Sequence, residues 1–74
     1  MKNQIKVLRK AKNYRQEDLA EALGVTRQTI NAIENDKYDP TLSLAFKLAW
    51  LLGTTVDELF NPEIDYKKSD NNKY

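Results

Sequence analysis

An all-α domain of five short helices is the fold this sequence predicts, and three observations predict it. Apolar residues recur at three- and four-residue spacing rather than alternating. Only two glycines and two prolines punctuate the 74 residues. The chain has neither cysteine nor histidine, so disulfides and most zinc or transition-metal sites are unavailable and helix packing has to hold it together.

At this length folding buries only about 60% of the extended chain's surface, which allows one compact core. The first helix is expected from about Lys2 to Lys12, burying Ile5, Leu8 and Ala11. The second runs from about Gln16 to Leu23 with Leu19, Ala20 and Leu23 inward, and Gly24 supplies the positive φ of a sharp exit. Thr26 caps the third helix, and Val25 and Ile30 have the spacing of a hydrophobic staple. Asn35 and Asp36 end it, both types that tolerate the left-handed conformation. Thr41 caps the fourth helix, Leu42 to Leu52, and Gly53 terminates it. In "TVDEL", Thr55 and Glu58 have capping-box spacing for a short fifth helix carrying Val56, Leu59 and Phe60, which Pro62 stops. Residues 1–62 therefore form the domain and 63–74 a tail. Within the tail, Ile64 and Tyr66 alternate with charged residues as in a brief strand, and the polar run from Lys67 reads as disordered.

The net charge is only +1, but its distribution is uneven. Residues 1–15 carry six positive charges and no negative one, whereas residues 16–36 carry five negative and one positive. Such segregation suits either a local basic patch or a solvated basic helix balanced by an acidic neighbour. The start "MKNQIKVLRK" has no apolar core of a secretory signal. The longest apolar tract, "LSLAFKLAWLLG", is interrupted by Lys47 and falls short of the roughly 20 residues a bilayer requires. A cytoplasmic protein without a membrane segment is expected, and the lack of cysteine fits a reducing compartment. An enzyme is not expected: only Ser43 and Ser69 offer hydroxymethyl nucleophiles and no glycine-rich phosphate loop exists. The acidic pairs Glu17/Asp18 and Asp57/Glu58 sit at helix starts, where the helix dipole favours them. No cofactor and no metal is expected.

The third helix carries the strongest functional signal. At about 100° per residue, Ile30 and Ile33 define its inward side, while Gln28, Asn31, Ala32 and Asn35 fall opposite and Arg27 lies at the N-terminal edge. That outward face has no Glu and no Lys, although 31% of the chain is charged. Arg, Gln and Asn are the side chains whose paired donors and acceptors match base edges in a major groove. A helix, a glycine turn and a second helix with a short connection make a helix-turn-helix unit.

The stretch "QEDLAEALGVTRQTINAIENDKYDP" resembles the core of the Xre/Cro family of phage-repressor-like regulators, and the likeness spans roughly Ile5 to Phe60. "Q-x-x-L-A" opens the second helix, "G-V" makes the turn, "R-Q-T-I" opens the third and "I-E-N-x-K-Y-x-P" leaves it. The resemblance implies a lambda-repressor-like fold and a sequence-specific regulator of double-stranded DNA, a repressor bound as a homodimer to a pseudo-palindromic operator. By that likeness Thr26, Arg27, Gln28 and Asn31 read bases, with Ala32 placed to touch a thymine methyl group. Gln16, Thr29, Asn35, Lys37 and Tyr38 approach the sugar-phosphate backbone; the other readings are an ordinary exposed first-turn place for Gln16, capping or packing for Thr29 and packing on its loop for Tyr38. Arg9 and Glu34 match positions of a partly buried ion pair between the first and third helices. Two departures stand out. Arg15 replaces the usual Ser or Thr cap and is either a poor cap or an added phosphate contact, and Asp36 replaces a loop glycine, bringing a carboxylate near DNA.

So small a domain contacts few phosphates, which favours two copies. Trp50, Leu51, Val56 and Phe60 exceed what one small core obviously requires. They form either a self-association surface or a second layer of the core. A protein-interaction module on the same scaffold, such as an antitoxin or adaptor, is the rival function.

Overall fold

A computed structural model describes residues 1–61. Within them the chain forms β1 (Lys2–Asn3), α1 (Ile5–Ala11), α2 (Gln16–Leu23), α3 (Arg27–Glu34), α4 (Leu42–Leu51), α5 (Val56–Leu59) and β2 (Phe60–Asn61). The all-helical, five-helix expectation holds, with one addition. β1 and β2 pair antiparallel, Lys2 opposite Asn61 and Asn3 opposite Phe60, and so tie the two ends of the domain together. The brief strand expected around Ile64 and Tyr66, the polar tail and the boundary at 62 lie outside the described residues.

This ladder corrects the start of the first helix. Lys2 and Asn3 are extended because their backbone is engaged with β2, and helix begins only at Ile5, whose N–H donates to the Asn3 side chain at 3.0 Å. The inward set shifts too: Ile5 and Arg9 are buried on α1, Leu8 packs at the core margin, and Ala11 is exposed.

The other helix ends follow local chemistry. Arg15 has no acceptor to offer the first turn of α2, but the Asp18 carboxylate accepts from the Arg15 backbone N–H at 2.7 Å, half of a capping box. Gly24 leaves α2 at φ 70°, and the Val25 N–H closes on the Ala20 carbonyl at 3.0 Å. The hydroxyls of Thr26, Thr41 and Thr55 each accept a backbone N–H three residues on, at 3.1, 3.2 and 3.3 Å. Glu58 accepts from the Thr54 hydroxyl instead of closing a box with Thr55. After α3 the left-handed residue is Asp36, at φ 62°, while Asn35 stays at φ −94°. Leu59 ends α5 before Pro62 is reached, because the chain turns there into β2 and the Leu59 carbonyl accepts from the Gln4 N–H at 2.8 Å.

The core gathers Ile5, Leu19, Ile30, Ile33, Leu48, Leu52 and Leu59, together with the small residues Ala20, Ala45 and Ala49. α2 packs most extensively on α3, which holds the two helices as one unit. Phe60, one of the residues considered for self-association, is buried in this core. Its side chain is occupied within the monomer because β2 pairing turns it inward beside Leu59. Leu51 and Val56 are half-buried against the same core, whereas Trp50 is exposed, as are Leu42 and Phe46 on the same helix.

Candidate nucleic-acid interface

The outward face of α3 is built by its inward one. Ile30 and Ile33 are almost fully buried and set the rotation of the helix about its axis. That rotation leaves Arg27, Gln28 and Asn31 exposed, with Thr29 and Ala32 half-buried at the margins. Among the described residues, no hydrogen bond or ion pair engages the side chains of Arg27, Gln28 or Asn31.

Behind this face, α3 is pinned by a polar network. Arg9 Nε and Nη2 donate to the two Glu34 carboxylate oxygens at 2.5 and 3.2 Å, a bidentate pair whose side chains are only 9% and 2% exposed. Arg9 Nη1 donates to the Tyr14 carbonyl at 2.9 Å, so the guanidinium also holds the α1–α2 connection. Gln16 Nε2 donates to Glu34 Oε1 at 3.0 Å. One carboxylate thereby gathers α1, the first residue of α2 and the last of α3. No buried side-chain polar atom among the described residues lacks a partner, which is the condition for such a network to stabilise rather than weaken the fold.

Gln16 is therefore half-buried and held, with a second Nε2 hydrogen directed away from Glu34. It lines a shallow groove continuous with Arg27, Gln28 and Asn31 on one side and with Arg9, Arg15, Glu17 and Arg27 on the other. Arg27 lies between the two parts. Arg9 is committed to Glu34, so the exposed cations of the groove are Arg15 and Arg27.

Other candidate residues are placed less simply. The Thr26 hydroxyl caps α3 and lies 3.0 Å from the Thr29 hydroxyl, so both threonines are engaged in the helix start. Asn35 Nδ2 donates to the Asn31 carbonyl at 2.9 Å and closes the end of its own helix. Lys37 and Tyr38 are exposed on the loop beyond. Asp36 does not stand alone: the α-ammonium of Met1 binds its carboxylate and that of Asp39. The Asp36 hydrogen bond, then that of Asp39, raises the amine above its usual pKa of 8.0. Asn3 Nδ2 also donates to the Ile33 carbonyl at 2.8 Å, fastening the first residues to the end of α3. Neither contact had a sequence signal, since no periodicity marks an extended pair of residues that meets α3 through a single amide.

Among the described residues no group of three His, Cys, Asp or Glu side chains could hold a metal ion, and no helix is long and apolar enough to cross a membrane.

The architecture is that of a helix-turn-helix protein, and comparison places the chain in that family: the helix-turn-helix family model matches residues 5–59. An uncharacterized HTH-type transcriptional regulator of Methanocaldococcus jannaschii, MJ0272, is 54% identical over 65 residues, covering 88% of this chain and 98% of the relative. YgzD of Bacillus subtilis, another uncharacterized HTH-type transcriptional regulator, is 45% identical over 60 residues, 81% of this chain and 91% of the relative. Among solved structures, a hypothetical transcription factor from Neisseria, NHTF, superposes with a TM-score of 0.67 at 30% identity, covering 80% of this chain and 69% of that one.

Proposed function

We propose that the protein is a sequence-specific double-stranded DNA-binding regulator, a repressor that lays α3 in the major groove and acts by occluding a promoter. The observation that carries this reading is the row of exposed Arg27, Gln28 and Asn31 beside a Gln16 amide held in place by Glu34. Arg27 pairs with guanine O6 and N7, and Gln28 or Asn31 with adenine N6 and N7. Thr26 is used by its cap, so its part in base reading is secondary to theirs. Gln16, Arg15, Lys37 and Tyr38 supply backbone contacts on both flanks of the helix, with Thr29 at the helix start. Asn35 contributes through the hydrogen of its amide that Asn31 does not take. The names of the relatives and of the Neisseria protein agree with this class of function. Two copies on a pseudo-palindrome, with half-sites about 34–36 Å apart, provide the contacts one domain lacks. Such a regulator works in the cytoplasm.

Selection of bound sites from a random DNA pool at fixed salt tests the reading. A pseudo-palindromic motif is expected. Arg27→Ala should then weaken binding to it by about 1–3 kcal/mol and relax the preference at one position of each half-site. Enrichment of no motif, or a variant that keeps the full sequence preference, would refute it.

A further inference from the structure

Among the described residues, four helices end in the same turn. After α1, α2, α3 and α4 one residue enters the left-handed region and its N–H donates to the carbonyl three residues back, while the next N–H donates to the carbonyl five back. Gly24 and Gly53 hold the left-handed position after α2 and α4, and Asn13 holds it after α1. Glycine and asparagine are the usual occupants of that place. After α3 it is Asp36, at φ 62°. This turn has a further attachment. The Ile33 carbonyl, which accepts from the Asp36 N–H at 3.1 Å, also accepts from Asn3 Nδ2 at 2.8 Å. Asn3 is itself fixed from elsewhere: it pairs with Phe60, whose side chain is buried in the core, and its Oδ1 accepts from the Ile5 N–H at 3.0 Å. Asn3 Nδ2 also donates to the Met1 carbonyl at 3.2 Å, and the Met1 α-ammonium binds the Asp36 carboxylate.

We propose that Asn3 is a positioning residue for DNA contact, bracing the turn after α3 so that Lys37 and Tyr38 are aimed at phosphates. This rests on the DNA-binding reading for the partner and on the hydrogen bonds for the brace. The Lys37 N–H closes the longer bond of the turn, to the Ala32 carbonyl at 2.9 Å. The direction in which the Lys37 side chain leaves α3 therefore depends on the turn staying closed. Glycine would adopt φ 62° without strain. Aspartate carries a Cβ and is strained there, so the surrounding structure has to hold it. Asn3 does so from β1, which is anchored through Phe60 on the core. The loop with the phosphate contacts is thereby set relative to the body of the domain rather than by α3 alone.

Hydrogen exchange at the Asp36 and Lys37 amides reads the turn in the free protein, and the salt dependence of DNA binding reads the phosphate contact. Asn3→Ala should speed exchange at both amides about tenfold, with the Gly53 and Thr54 amides of the α4 turn unchanged. It should also weaken binding to all DNA sequences alike and lower the slope of log affinity against log salt by about 1, without altering the selected motif. Asn3→Ser should do the same, since its hydroxyl still accepts from the Ile5 N–H but is too short for the Ile33 carbonyl. In a Lys37→Ala chain, Asn3→Ala should lower the slope no further. Asp36→Gly should restore exchange and slope in the Asn3→Ala chain, because glycine holds the turn unaided. Asp36→Asn removes the same charge and should restore them less.

Unchanged exchange in both Asn3 variants overturns the proposal, because the turn then closes without the brace. So does an opened turn with an unchanged salt slope, a further loss of slope in the Lys37→Ala chain, or equal rescue by Asp36→Asn and Asp36→Gly. Unfolding of both Asn3 variants would make Asn3 a residue of the fold and refute its separate part in aiming Lys37. A parent that binds no DNA, with the turn still opening in both variants, refutes the DNA reading and leaves the brace standing.

Discussion

The outward faces of α3 and α4 differ sharply although the helices are made alike. Each starts behind a threonine whose hydroxyl accepts the N–H three residues on, and each buries branched or small apolar residues against the same core. Yet α3 presents guanidinium and amide groups, while α4 presents leucine, phenylalanine and tryptophan. The first set offers directional donors and acceptors, worth having only where a partner's groups are fixed in space. The second offers area, which any complementary apolar surface can cover. Local structure thus places a face, and the side chains on it decide whether it discriminates or merely adheres.

The largest expected effect falls on the network that sets α3 relative to α2. Glu34→Ala leaves the Arg9 guanidinium buried without its partner and should cost about 3–5 kcal/mol in urea unfolding. A double replacement by apolar residues of similar volume, Arg9→Met with Glu34→Leu, should recover much of that stability. In the double variant Gln16 also loses the acceptor that holds it, so DNA affinity should stay reduced after stability returns. Recovery of both together would mean that Glu34 acts on the fold alone.

Removing the caps sharpens the contrast between the two faces at a smaller scale. Thr26→Ala and Thr41→Ala should each lower stability by about 1 kcal/mol, because each leaves one first-turn N–H without its acceptor. Only Thr26→Ala should also weaken DNA binding, since it loosens the helix turn that carries Arg27 and Gln28. Equal effects of the two on DNA affinity would erase the distinction. The smallest effect is expected at Lys37, beyond the end of α3. Lys37→Ala should weaken all DNA sequences alike and lower the slope of log affinity against log salt by about 1, with no change in the selected motif. A changed motif would move Lys37 from the backbone to the bases.

Most helices were readable because their signals are local. Thr26, Thr41 and Thr55 sit where a cap belongs, Gly24 and Gly53 where a positive φ ends a helix, and Ile30 and Ile33 at the spacing of one buried side. The polar face of α3 follows from that same period. What escaped reading joins residues far apart in the chain. Lys2 and Asn3 look like the first turn of a helix until β2 supplies a partner for their backbone. Phe60 resembles spare hydrophobic surface until the same pairing turns it inward. On α4 apolar residues occupy nearly every position, so the period alone does not say which stripe faces the core; Ala45, Leu48 and Ala49 do, leaving Leu42, Phe46 and Trp50 outside.

The amino-acid sequence by itself determined five helices, the threonine caps of three of them, the Gly24 and Gly53 exits, and an outward face of arginine and amide side chains on the third. These depend on hydrogen bonds and side-chain spacing within a few residues of each other. The tertiary structure alone decided where Phe60 goes, which side of α4 stays open, and how Glu34 collects Arg9 and Gln16 into one bracket. Those outcomes are set by competition for a small core, in which each residue's burial depends on what distant parts of the chain have already filled.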